Sequence, residues 1–444
     1  MVPTGGSSRE LSFGQALELL HSNNESLRAV TMEMRQREQE QSATRGLYFP
    51  KVNLNGSYTK IDDPTTLDLN AIRTAMLQFH PEVPAGMVPS FEETFQDDRF
   101  WKATATMTWP LFTGGRILAA NRAADAVVAE VKEKMRSTES ALISSLAEYY
   151  FGLCLAQNIV TVRRQVLDGM ERHLYHAQKL EEHGMISRSE RLHAEVTHAE
   201  ADRKLKKAVR DETISQSTLK SILSFEEPVT PVSHLFLLRA IKPLSFFQRE
   251  ARLKNPIMKQ IAARKEQAHQ NYKIQLGTFS PEVYLFGMRE LYTQDLTVLE
   301  PEWAVGVGVN VTLFEGFARA KRVSAALYQE KRVSYLEERA VQNIETLVEK
   351  YYNEVMKAIE QFDCTETSLE SAREYLRIRS RAFEEGYASS IDVIDAQLAL
   401  SRVKIERLTA AYTFDVFLAK LLEAAGLSDS FDIYPTKVRV EVDL

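Results

Sequence analysis

The chain has 444 residues, 44% of them hydrophobic, with a formal net charge of −6. That balance excludes a strongly basic nucleic-acid binder, and the sparse glycines and prolines, 18 and 14, suit long helices. No apolar run is long enough for a transmembrane helix: the closest, 141–162, carries Ser144, Ser145, Glu148, Gln157 and Asn158 and reads as a packed helix.

Residues 1–10 lack a basic n-region and an apolar h-region, and are expected to be an expression remnant or flexible N-terminus. The start fits a cytosolic chain or one whose signal peptide has been removed. Residues 11–49 read as helix with a break near Ser22-Asn23-Asn24 and a stop at Pro50. In 51–61, Val52, Leu54, Gly56 and Tyr58 alternate with Asn53, Asn55, Ser57 and Thr59, which predicts a strand with one polar face. Residues 62–98, rich in proline and acids, read as a long loop with a short helix at 71–79. The strand 100–112 alternates most clearly, with Trp101, Ala103, Ala105, Met107, Trp109 and Leu111 on one face.

A helix over 116–183 contains no proline, and its apolar residues recur at spacings of four and three: Leu142, Leu146, Tyr149, Leu153, Ala156, Val160. That is a coiled-coil seam on a helix roughly 100 Å long. Gly184 ends it as a C′ residue would, Ser187 caps the next helix, and 188–223 returns. Residues 225–243 form a linker. The same order then recurs over helices 244–279, strands 282–292 and 302–313, a long helix over 317–385 and a returning helix over 390–425. Residues 428–444 are partly β-like, notably Lys437-Val-Arg-Val-Glu-Val. Strand 282–292 alternates poorly, because Tyr284, Phe286 and Met288 occupy the face that should be polar.

The recurrence is a duplication. At an offset of 202, Trp101 matches Trp303, Tyr149-Tyr150 matches Tyr351-Tyr352, and Gly184 matches Gly386. At an offset of 231, Asn24 matches Asn255, Pro50 matches Pro281 and Gly56 matches Gly287. The two structural repeats are therefore 11–224 and 244–427, and the difference between offsets places 29 additional residues in the first strand-to-strand loop. Cys154 and Cys364 do not match and are read as unpaired packing residues.

Four strands with one apolar face, flanked by Trp101, Trp109, Trp303 and Tyr58, suggest a lipid-facing wall with an aromatic girdle and a wet lumen. A soluble β-sandwich with one buried face is the bland reading. An open sheet edge in lipid is prohibitively costly, and known small barrels begin at about eight strands. The membrane reading therefore requires oligomerisation, and three copies would supply twelve strands.

The motifs Trp109-Pro-Leu-Phe-Thr-Gly-Gly-Arg116, Leu313-Phe-Glu-Gly316, Phe383-Glu-Glu-Gly-Tyr387 and Ser390-Ile-Asp-Val-Ile-Asp-Ala396, in this order within a duplicated unit, resemble those of the TolC family of outer-membrane factors. The resemblance covers about 11–427. It implies a mainly α fold with a membrane β-barrel: a homotrimer whose 12-stranded outer-membrane barrel joins a long periplasmic α-helical barrel. A mixed equatorial belt would take up 225–243 and 428–444. The implied function is a passive exit duct of a tripartite efflux pump or type I secretion system in a Gram-negative bacterium. Implied partners are the lipid membrane, a periplasmic adaptor (membrane fusion) protein, and an inner-membrane pump of RND, ABC or MFS type, with no nucleic acid.

The turns at Gly184 and Gly386 would be the periplasmic tips where family members close the duct. Asp392 and Asp395, three apart on one helical face, and Glu190, the match of Asp392, carry over to family gate acids, with Phe383 beside them as pore-lining. Phe383 and Ala388 stand where well-studied members have a latching tyrosine and arginine; Arg188, Arg191 and Arg381 are nearby substitutes. The bland reading is that Asp392 simply begins the returning helix. His173, His176 and His183 could suggest a metal site, but their charged helix reads as a solvated face. Without a nucleophile elbow, P-loop or dinucleotide fingerprint, neither an enzyme nor a cofactor is expected. The alternative of a different class is a non-pore coiled-coil scaffold.

Overall fold

Joints marked by glycine and proline leave few, long elements between them. The computed structural model describes residues 9–294 and 301–437. In chain order these are β1 (Arg9–Leu11), α1 (Phe13–Asn23), α2 (Glu25–Arg45), β2 (Lys51–Lys60), β3 (Thr65–Asp68), α3 (Asn70–Phe79), β4 (Glu92–Gln96), β5 (Arg99–Phe112), α4 (Arg116–Glu182) and α5 (Arg188–Leu223). There follow β6 (Val229–Pro231), α6 (Leu244–Lys254), α7 (Pro256–Gly277), β7 (Glu282–Thr293), β8 (Trp303–Asn310), α8 (Ala318–Glu384), α9 (Ser390–Ala425) and α10 (Tyr434–Lys437). The long helices α4 and α8 each contain 67 residues, and the returning helices α5 and α9 each contain 36.

Three sequence expectations change. Residues 62–98 are more than a loop with a helix, because β3 and β4 pair antiparallel on either side of α3. The last strand stops at Asn310 rather than 313, since its ladder ends where Asn310 faces Glu282, the first residue of β7. The C-terminal segment begins as a 3-10 helix over Ser428–Ile433 and continues as α10. Its β-like stretch 438–442 lies outside the described residues.

The chain forms two compact units that cut across the sequence repeat. One comprises Met1–Arg37, Val128–Arg264 and Val333–Leu444; the other comprises Glu38–Val127 and Lys265–Arg332. In the first, the seam residues Leu146, Leu153, Val348, Val355, Ala358 and Phe362 are buried. They join an aromatic cluster in which Phe13 packs 5.6 Å from Tyr150, 5.6 Å from Phe151 and 5.1 Å from Phe431. Linker residues Leu235 and Phe236 belong to the same core. The Tyr150 hydroxyl donates to Leu11 O (2.7 Å) and accepts from Ser233 N (2.9 Å), which stitches the parallel β1–β6 pair to α4.

The duplication survives as identical chemistry. Asn24 caps α2, accepting from Ser26 N and Leu27 N, while its amide donates to Ile222 O at 3.0 Å. Asn255 caps α7, accepting from Ile257 N, and donates to Ala424 O at 2.8 Å. Both asparagines are buried. Each therefore satisfies orphan groups at two helix ends at once, the start of its own helix and the last turn of a returning one.

The second unit holds a four-stranded antiparallel sheet of order β2-β5-β7-β8. One face carries Val52, Leu54, Tyr58, Trp101, Met107, Leu285, Trp303 and Val305, and none of the described residues covers it. Val305, Val307 and Val309 are 66%, 61% and 64% exposed. Tyr58 packs 4.8 Å from Trp101 across the β2–β5 ladder, and Trp109 Nε1 donates to Tyr48 O.

Candidate helical-tip site and uncovered sheet

Two features carry the functional reading, one in each compact unit. The sheet is the simpler. A strand buried on one side in a soluble sandwich would hide its valines, yet here the apolar face is open while the opposite face holds Asn53, Asn55, Thr104 and Thr106. Among the described residues β2 and β8 each pair on one side only, so both outer edges of the sheet present unpaired backbone groups.

At the first tip, α4 ends in a Schellman turn. Gly184 has φ +68°, its N–H donates to Glu181 O, and Met185 N donates to Leu180 O. At the second tip, α8 ends the same way: Gly386 has φ +79°, Gly386 N donates to Phe383 O, and Tyr387 N donates to Ala382 O. A side chain would be strained at either glycine. The returning helices then open on matched capping boxes. Glu190 Oε2 accepts from Ser187 N (3.0 Å) and Oγ (3.2 Å), and Asp392 Oδ2 accepts from Ser389 N (2.9 Å) and Oγ (2.8 Å). The Ser389 backbone and hydroxyl hold the Asp392 carboxyl below its usual range. The helix-start reading of Asp392 is thus realised, and it applies to Glu190 as well. Asp395 is exposed one turn further on.

Phe383 is not where the sequence suggested. It is 4% exposed and packs with its ring 4.7 Å from that of His173, so it faces the interior of the helix packing rather than an open surface. His173 is the residue that sequence reasoning missed. It is 6% exposed, its Nε2 lies 2.6 Å from Ser390 Oγ, and burial, with His176 and His193 nearby, pushes its pKa down to about 4. His176 and His183 are exposed, as a solvated face requires. The signal misled because three histidines on a charged helix look alike in sequence, and only the packing around α4 separates buried His173 from exposed His176. Beside this contact is a cavity of about 160 Å³, lined among others by Arg172, His176, Phe383, Glu384 and Val393.

The two helix turns are held by different forces. Arg191 Nε bridges to Glu181 at 2.7 Å and its Nη1 to Glu195 at 2.7 Å, tying α5 to the end of α4. At the 202 offset, Glu181 becomes Phe383 and Arg191 becomes Val393, and this apolar pair lines one cavity. Where one repeat has an ion pair, the other has two apolar residues lining a cavity. Of the three arginines named as substitutes for the family latch, Arg191 is the one that ties a returning helix to a long one. Among the described residues no group of three or more His, Cys, Asp or Glu could hold a metal, and no helix is long and apolar enough to cross a membrane.

Comparison with known proteins agrees with this geometry. The family model for outer membrane efflux proteins matches residues 16–224 and 248–427, which is the duplicated unit twice. The alkaline protease secretion protein AprF of Pseudomonas aeruginosa is 21% identical over 314 residues, spanning 68% of this chain and 64% of AprF. A membrane protein from Pseudomonas aeruginosa superposes with a TM-score of 0.77 at 16% identity, covering 93% of this chain and 90% of the other. The outer membrane protein VceC of Vibrio cholerae superposes with a TM-score of 0.75 at 15% identity, covering 93% and 96%.

Proposed function

Because this chain belongs to the outer membrane efflux protein family, we propose that it is the outer-membrane exit duct of a tripartite efflux pump or a type I secretion system. The observation that carries this is the uncovered apolar face of the β2-β5-β7-β8 sheet. Water is a poor solvent for three exposed valines at alternate positions flanked by Trp303, and lipid is a good one. Lipid in turn forbids the two open sheet edges. A homotrimer resolves both demands, closing twelve strands into a barrel with the polar face as a wet passage. The scaffold reading leaves that face without a solvent.

Transport through such a duct is passive: the wall supplies shape, and energy comes from an inner-membrane pump of RND, ABC or MFS type through a periplasmic adaptor. Asp392, Asp395 and Glu190 are the acids of the constriction at the tips. In a trimer the Asp392–Asp395 pair would bring six carboxylates toward one axis, a ring that favours cations. The Ser389 cap supports this role, because it keeps Asp392 ionised at its place on the first turn.

The test is conductance of the purified detergent-extracted trimer in planar bilayers. Asp392→Asn with Asp395→Asn preserves the capping acceptor and removes the charge, and is expected to lower cation preference. Unchanged selectivity would move the constriction elsewhere, and a wild-type chain that is a freely soluble monomer without detergent would overturn the duct itself.

A further inference from the structure

The polar face of the sheet is not uniformly polar. β2 and β5 bring Asn53, Asn55, Thr104 and Thr106 to it, whereas β7 brings Tyr284 and Phe286. Opposite these two rings, in register, stand Gly308 and Gly306 of β8. A Cβ built on Gly306 would lie 2.7 Å from Phe286 Cζ, and one on Gly308 would lie 2.5 Å from Tyr284 Cζ. The rings occupy the space that side chains at 306 and 308 would fill. Neither glycine has a positive φ, so the backbone does not demand them. Glycine weakens a strand interior, and here it leaves room for an aromatic ring to lie over bare backbone.

We propose that Gly306 and Gly308 set the bore of the barrel, a limit separate from the constriction at the tips: by letting Phe286 and Tyr284 lie down against β8, they fix the largest solute that the barrel admits from outside. This rests on reading the polar face as the passage wall. The atoms that an added side chain would meet are the far ends of two rings, which can turn on their own torsions, so the ladder stays and the rings rise into the passage. β-branched residues are also favoured in strands, so Gly306→Val should fold.

The test uses thiol labelling of the full chain in the outer membrane of intact cells. Cys154→Ala and Cys364→Ser remove the native thiols, and Asn310→Cys places one on the polar face past both rings, at the helical end of β8. A small methanethiosulfonate and a bulky dextran-linked maleimide are added outside. Gly306→Val is expected to slow the bulky reagent roughly tenfold, as a raised barrier at one constriction would, and to leave the small one unchanged. Adding Phe286→Ala to Gly306→Val should restore the bulky rate. Equal bulky rates with and without Gly306→Val overturn the proposal, and so does slowing that Phe286→Ala fails to relieve. If even the small reagent cannot reach Asn310→Cys in the reference chain, it is the passage reading that fails.

Discussion

Acid should loosen the second tip, and the loss should be traceable to one imidazole. His173 joins α4 to the first residue of α9, with the Phe383 ring tilted against its own. The charged or titratable groups around it are Arg172 and His176 on α4, His193 on α5 and Glu384 on α8. Its folded pKa of about 4 lies below the ordinary 6.5, so the closed tip binds fewer protons than the opened one between those values. Stability is therefore fully present above pH 6.5 and is lost as pH falls toward 4. The gap sets a ceiling of roughly 3 kcal/mol, or about a hundredfold in local opening. Placing the imidazolium at the positive end of α9 adds to the penalty. Hydrogen exchange of peptides spanning 166–176 and 383–397, corrected for intrinsic rates, should show this opening between pH 7 and pH 4. His173→Gln keeps a hydrogen-bonding group without titrating, and should flatten the profile. If wild type and His173→Gln lose protection in parallel, the imidazole is not the cause and the reasoning fails.

Asp415 should act in the opposite direction. It is fully buried, accepts from Phe236 N at 3.4 Å, and burial raises its pKa well above the usual carboxylate value. A raised folded pKa means stability is present at low pH and falls as pH rises, so Asp415→Asn should melt higher than wild type at pH 9, with the difference shrinking toward pH 4. Thermal melts over that range would refute this if the two proteins ran parallel. Asn255→Ala removes both a cap and a buried bond to Ala424 O, and should cost about 2–3 kcal/mol in denaturant titration. Asn24→Ala should cost a similar amount, and a negligible effect from both would mean water replaces these bonds freely.

The long elements were legible because each boundary has a local chemical cause. Gly184 and Gly386 supply positive φ, Ser187 and Ser389 supply caps, and α5 and α9 fall where those residues place them. Strand alternation in β5 and β8 was equally local. What stayed hidden depended on partners. β1 and β6 are three residues each, too short to show a period, and β3 and β4 have no alternation that precedes their pairing. Strand β8 reads on to Leu313 in sequence, but it ends where β7 ceases to face it. His173 could not be told from His176 without knowing which helices meet it. The poor alternation of β7 was visible; its answer lay in the glycines of β8, which only register connects to it. The exchange of Glu181–Arg191 for Phe383–Val393 was available to anyone aligning the repeats, but its meaning needed the helices side by side.

The paired asparagines give the chain an unusual experimental property: it carries its own control. Asn24 and Asn255 perform one chemical task twice within a single molecule, each grasping the carbonyl of the penultimate residue of a returning helix, Ile222 or Ala424. Ancestry, solvent and temperature are shared, so any difference between the two sites isolates the influence of their surroundings. The first site ends in Ser224 at φ 47°, a conformation ordinarily costly for a side chain, while the second ends in Gly426 at φ 71°, pressed against Lys254. A duplicated ancestor has thus drifted in what surrounds the bond and kept the bond, a record of which contacts could change independently and which could not.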